Sequence, residues 1–166
     1  MPTPTTPKAT AYAVGKPTVK ASKRSHRVDF GGLDDHAGFQ LRLAYIAVSR
    51  HFAYAMDSLD LTQKQTGVLW LIGANGGISQ IAVATRLSMD RASMMAIIDR
   101  LEERALVTRE RSLHDGRRQA LYLTAKGRRL LAQARTALAR HENWLAARFD
   151  PAELVLLKDF LKRIDR

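Results

Sequence analysis

Apolar residues recur at helical spacing from Asp34 to about Leu59, where Phe39, Leu43, Ile46, Phe52, Met56 and Leu59 fall on one stripe that needs a partner. Leu61-Thr62-Gln63-Lys64-Gln65 restarts the chain as a helix, with Thr62 at the cap, Gln65 three residues on and Val68, Leu69 and Ile72 facing inward. Gly73 and Asn75-Gly76-Gly77 predict its end, because these residues tolerate positive φ. Ser79 opens a short helix containing Ile81, Ala82 and Leu87. After a tight break, Ser88-Met89-Asp90 offers capping oxygens to a longer helix. On that helix Met94, Ile97, Ile98 and Leu101 form the apolar side, and Arg91, Ala92, Met95, Ala96, Asp99 and Arg100 the other. A short helix, a tight turn and a longer helix with one polar face predict a helix-turn-helix.

Beyond it the period changes. Leu106 and Val107 lead into Thr108-Arg109-Glu110-Arg111, and the run Gln119 to Leu123 returns after Asp115-Gly116, so a two-stranded hairpin is expected. Arg111, Arg117 and Arg118 cluster around its loop as a basic wing. Thr124 caps a further helix running to about Arg148 through Leu130, Leu131, Ala134, Leu138 and Leu145. Asp150-Pro151-Ala152-Glu153 then combines an N-cap, a proline at the first helical position and a glutamate at the third, ahead of Leu154, Leu157, Phe160 and Leu161. The expected fold is mainly α with a small β-wing.

Composition narrows what such a fold does. With 166 residues and 46% hydrophobic content, one sizeable core is expected. There is no cysteine, which removes disulfides, thiolate metal sites and thiol redox sensing. No apolar run approaches the roughly 20 residues of a membrane span, and the N-terminus has no apolar signal region, so a cytoplasmic protein is expected. The net charge is +11, and residues 1–33 and 86–129 carry +5 each. That distribution suits a polyanionic partner, since Lys and Arg gain affinity by releasing counterions from phosphates. Residues 1–33, with Lys8, Lys16, Lys20, Lys23, Arg24 and Arg27, are expected to be a flexible basic arm.

The segment from Asp90-Arg91-Ala92-Ser93 through Asp99-Arg100-Leu101-Glu102-Glu103-Arg104-Ala105-Leu106-Val107, then Arg109 and Asp115-Gly116-Arg117-Arg118 to Leu123-Thr124-Ala125-Lys126-Gly127, resembles the MarR family of bacterial transcription regulators. The resemblance covers about residues 36–163. It implies a winged helix-turn-helix dimer in which residues 34–59 and 125–163 form the helical dimerisation region and residues 60–124 the DNA-binding region. It also implies that Arg117 enters the minor groove of a palindromic duplex, with Arg111 and Arg118 beside it. The recognition helix would bring Arg91, Ser93, Met95 and Ala96 to the major groove, where arginine and serine meet hydrogen-bond acceptors and Met95 and Ala96 meet thymine methyl groups. One departure from the family pattern is Ala105, where glycine is common.

Chemistry of other kinds lacks a sequence signature. The five histidines form no compact metal-ligand motif, and neither G-x-S-x-G nor a P-loop occurs, so no enzyme, metal or cofactor is expected. The rival to a regulator is a DNA-coating protein, which would share the basic arm and wing. By resemblance an effector pocket lies where the dimer helices meet the winged region, and His36, His51, Tyr54 and Trp70 are its candidate residues. Aromatic surface with a few polar groups suits a small aromatic acid or its coenzyme A thioester, whose binding relieves repression.

Overall fold

A computed structural model describes residues 28–111 and 119–164. A 3-10 turn at Leu33–Asp35 precedes helix α1 (Ala37–Met56), so the expected continuous helix from Asp34 is interrupted at His36, an extended N-cap residue. A second 3-10 turn, Asp57–Leu59, and Asp60 in the left-handed region at φ 48° turn the chain into α2 (Gln63–Ala74). Thr62 and Gln65 form the anticipated reciprocal cap: the Thr62 amide donates to Gln65 Oε1 at 2.9 Å and the Gln65 amide to Thr62 Oγ1 at 3.2 Å.

Next come strand β1 (Ile78–Ser79), α3 (Gln80–Arg86), α4 (Arg91–Glu103), β2 (Val107–Arg111), β3 (Gln119–Leu123), α5 (Ala125–Ala146) and α6 (Pro151–Ile164). Each of these helix starts uses an oxygen that the sequence offered: Ser79 accepts from the Ala82 amide, Asp90 from Ser93, Thr124 from Gly127 and Asp150 from Glu153. The sheet has three strands, in the order β1-β3-β2, all antiparallel. The expected hairpin is therefore incomplete as a description. Two residues before α3, Ile78 and Ser79, pair with Leu121 and Ala120 and tie the entrance of the helix-turn-helix to the wing. A two-residue strand carries no period that a sequence pattern can register.

Among the described residues, one apolar cluster joins the helices up to α5 and the sheet. Phe52 and Met56 of α1, Val68, Leu69 and Ile72 of α2, and Val83 of α3 meet Met94, Ile98 and Leu101 of α4. Leu106, Val107, Leu121 and Leu123, with Leu131, Ala134 and Ala137 of α5, complete it. The C-terminal part of α1 and part of α5 thus share one core with the winged unit. Elsewhere α1 exposes Leu41, Leu43, Tyr45 and Ile46, and α6 exposes Val155, Leu156, Phe160, Leu161 and Ile164. The stripe inferred for α1 is buried within this chain only at its C-terminal end.

Candidate nucleic-acid interface

The second helix of the helix-turn-helix presents one face inward and one outward. Met94, Ile98 and Leu101 are fully buried and Ile97 half-buried, which fixes the rotation of α4 about its axis. Arg91, Ala92, Met95, Ala96, Asp99 and Arg100 are left on the exposed side. The turn before it passes through Ser88 at φ 50°, a left-handed conformation taken up by a non-glycine residue, and the Met89 amide donates to the Ala84 carbonyl at 2.9 Å.

Arg91 and Met95 lie one helical turn apart and line an open recess of about 840 Å³ together with Ser79, Gln80, Ile81, Thr85 and Met89. Gln119 of the wing closes one side. Ser93 is differently engaged. Its amide donates to Asp90 Oδ1 at 2.8 Å, and hydrogen bonding from Ser93 holds the Asp90 carboxyl below its ordinary range. Ser93 is half-buried at the helix start, while Arg91, Met95 and Ala96 are exposed. Arg111 ends β2, and its side chain lies outside the described residues, as do Arg117, Arg118, Asp115 and the N-terminal arm through residue 27.

Two arginines that the sequence did not single out as site residues lock α4 in place. Arg109 on β2 extends Nη2 to Asp99 Oδ1 at 2.5 Å and pairs through Nη1 with Glu102 Oε2, and its own amide donates to Glu102 Oε1 at 3.1 Å. The wing strand is thereby braced against the recognition helix. At the end of that helix Arg104 donates to the carbonyls of Asp60 (2.5 Å) and Leu59 (3.0 Å), and Lys126 Nζ reaches the Arg104 carbonyl at 2.9 Å. Both arginines find partners that are distant in sequence or on another element, so no local spacing marks them.

Of the four candidate pocket residues, His51 and Tyr54 are neighbours on α1, their ring centres 6.3 Å apart. His36 sits at the cap of α1, its Nδ1 3.2 Å from the Gly32 carbonyl oxygen. Trp70 is half-buried on α2 beneath the guanidinium of Arg135, 4.9 Å from the ring centre. Tyr54 is 81% exposed. His51 also joins a stack: its ring lies 3.9 Å from that of Trp144 at 11°, and its Nδ1 is 2.8 Å from Nδ1 of His141. A separate cavity of about 330 Å³ opens where α1 meets α2, lined by Tyr45, Ser49, Phe52 and Met56 with Asp57 and Asp60 at its polar side. Ser49 Oγ is buried there without a hydrogen-bond partner.

This fold and its sequence are similar to those of known proteins. A Thauera aromatica protein named for transcriptional regulation of the hcr operon is 35% identical over 137 residues, 82% of each chain. The MarR family model matches residues 59–118. The chain belongs to the MarR family. As a MarR-family protein it is a winged helix-turn-helix transcription regulator and not an enzyme. Its fold aligns with the transcriptional repressor CouR bound to a 23-mer DNA duplex at 35% identity and a TM-score of 0.80, covering 84% of this chain and 99% of that one. CouR bound to p-coumaroyl-CoA aligns with a TM-score of 0.79 over the same shares, at 35% identity. BpsR of Bordetella bronchiseptica, whose DNA binding is regulated by 6-hydroxynicotinic acid, is 25% identical with a TM-score of 0.75, covering 80% of this chain and 95% of that one. Within the MarR-family protein, no helix among the described residues is long and apolar enough to cross a membrane.

Proposed function

We propose that this protein is a homodimeric repressor that occupies a palindromic operator and releases it when a small aromatic acid or its coenzyme A thioester binds. The observation that carries the reading is the alignment with CouR, in which one fold was solved with both a DNA duplex and p-coumaroyl-CoA. The uncovered apolar side chains of α1 and α6 support dimerisation through residues 34–59 and 125–163, because such faces are hidden at a subunit interface.

The cavity between α1 and α2 supports the thioester more strongly than the free acid. Its volume fits an aromatic acyl group. Asp57 and Asp60 stand at the same cavity, so a free carboxylate entering it meets like charge. A thioester has no carboxylate at the acyl end and carries its phosphates elsewhere. Relief of repression requires tighter effector binding to free protein than to the DNA complex. Here the shared core of α1, α2 and α4 supplies the connection.

The test begins with selection of an operator from random duplexes. Sedimentation equilibrium should return twice 18.6 kDa. Titration of the operator complex with p-coumaroyl-CoA and with p-coumarate, at constant ionic strength, should release DNA at lower concentration with the thioester, and calorimetry should register its binding to free protein. Equal affinity for every duplex would instead identify a DNA-coating protein. Binding of neither ligand class would overturn the aromatic effector.

A further inference from the structure

We infer that Ile81, on α3, is a sequence-reading residue: it and Met95 of α4 form the two walls of an apolar notch that receives thymine methyl groups in the major groove. The inference rests on the reading of α4 as the DNA-facing helix and extends it to a residue of the preceding helix. Ile81 is 72% exposed and Met95 50% exposed, and neither belongs to the buried core beside them. Large apolar side chains left in water on a packed helix pair mark a contact surface. Both residues line the recess that also contains Arg91, Gln80 and Thr85.

The surroundings identify the occupant. Arg91 lies in the recess itself with no acidic residue among the described residues of its lining, and Arg86 is exposed further along α3, so the notch suits a polyanion rather than an apolar peptide or a lipid tail. Within duplex DNA the apolar group that a side chain meets at the floor of the major groove is the C5 methyl of thymine. Arg91 and Gln80 beside the notch have the chemistry for guanine or phosphate and for adenine, respectively. Ile81 is one residue into α3, whose start is fixed by the Ser79 cap and, through β1, by pairing with the wing. Its position relative to Met95 is therefore set by the fold and not by a flexible loop.

The experiment uses the full chain and the operator selected by the wild-type protein. Each thymine is replaced singly, in both half-sites, by deoxyuridine, which lacks only the methyl group, and affinities are measured for wild type, I81A and M95A. At one or more positions the wild-type protein should bind the uracil duplex about three- to tenfold more weakly, the loss that one apolar contact carries. I81A should bind thymine and uracil at one of those positions equally. M95A should lose discrimination at the same or the adjacent position. Because Ile81 is exposed, I81A should melt with the wild type, and I81L should restore part of the discrimination. Full thymine preference in I81A at every position would overturn the assignment, as would an operator in which no thymine methyl contributes. Failure to select any sequence would sink the DNA-reading interpretation along with it.

Discussion

The guanidinium of Arg109 on the wing strand is bound to Glu102 on the recognition helix, seven residues earlier in the chain, and the Arg109 amide is bound to the same carboxylate. With Asp99 as a second partner, the charge of Arg109 is fully occupied inside the protein. R109M should lower stability by about 1–2 kcal/mol, since hydrogen bonds to charged, partly screened groups are lost. It should also weaken operator binding about tenfold by loosening the wing, without altering the dependence of log K on log salt, because Arg109 releases no counterions from DNA. Fluorescence anisotropy across a salt series checks this. A slope reduced by about one charge would show instead that Arg109 contacts phosphate.

Ala105 adopts φ 54°, and the amides of Ala105 and Leu106 donate back to Glu102 and Leu101 at 2.7 and 2.8 Å. This is a Schellman end to the recognition helix, with alanine at the left-handed position that usually holds glycine. The left-handed conformation costs an L-residue roughly 1–2 kcal/mol, and glycine returns about half of that as lost chain entropy. A105G should therefore stabilise the protein by about 0.5–1 kcal/mol, visible as a higher urea midpoint at unchanged m-value.

Gly127 shows the opposite constraint. A Cβ there would overlap the backbone carbonyl oxygen of Leu106, which also accepts hydrogen bonds from the Thr124 amide (3.1 Å) and Thr124 Oγ1 (3.3 Å). No rotamer change relieves a clash with backbone. G127A should destabilise by about 1–3 kcal/mol and lower the melting temperature by several degrees. A melting curve that overlies the wild type would refute the close approach of α5 to the Leu106 backbone just before β2.

His141 is 3% exposed and faces His51 at hydrogen-bond distance. Burial first, and the neighbouring His51 charge second, push its pKa below 6.5, with Glu142 acting in the opposite direction. Below pH 6.5 the unfolded chain thus takes up the proton that the folded chain resists, so stability is complete above that pH and falls as the pH drops toward the folded value. Melting temperatures between about pH 5 and 7.5 should rise with pH, and H141L should flatten the rise across the histidine range. An unchanged slope in H141L would assign the dependence to other groups.

The local signals in the chain determined most of the elements by themselves. Thr62-Gln65, Asp90-Ser93, Thr124-Gly127 and Asp150-Glu153 are caps whose two halves lie within three residues, so the oxygen and the amide it satisfies are both visible in one short window. The same holds for the inward face of α4, because a helix repeats its environment every three to four residues. Only the tertiary structure decided what meets across long separations. Ile78 and Ser79 become a third strand because Leu121 and Ala120 offer unpaired backbone groups, and their own sequence contains no strand period. Packing of α1 against α5 stacks His51 on Trp144 and brings it to hydrogen-bond distance of a histidine ninety positions away, a pairing no local pattern shows. The roles of Arg109 and Ile81 likewise depend on how α4 sits between the wing and α3. Capping and amphipathicity are satisfied within a few residues and so are written locally; braces, stacks and notches exist only once one core has fixed the helices against each other.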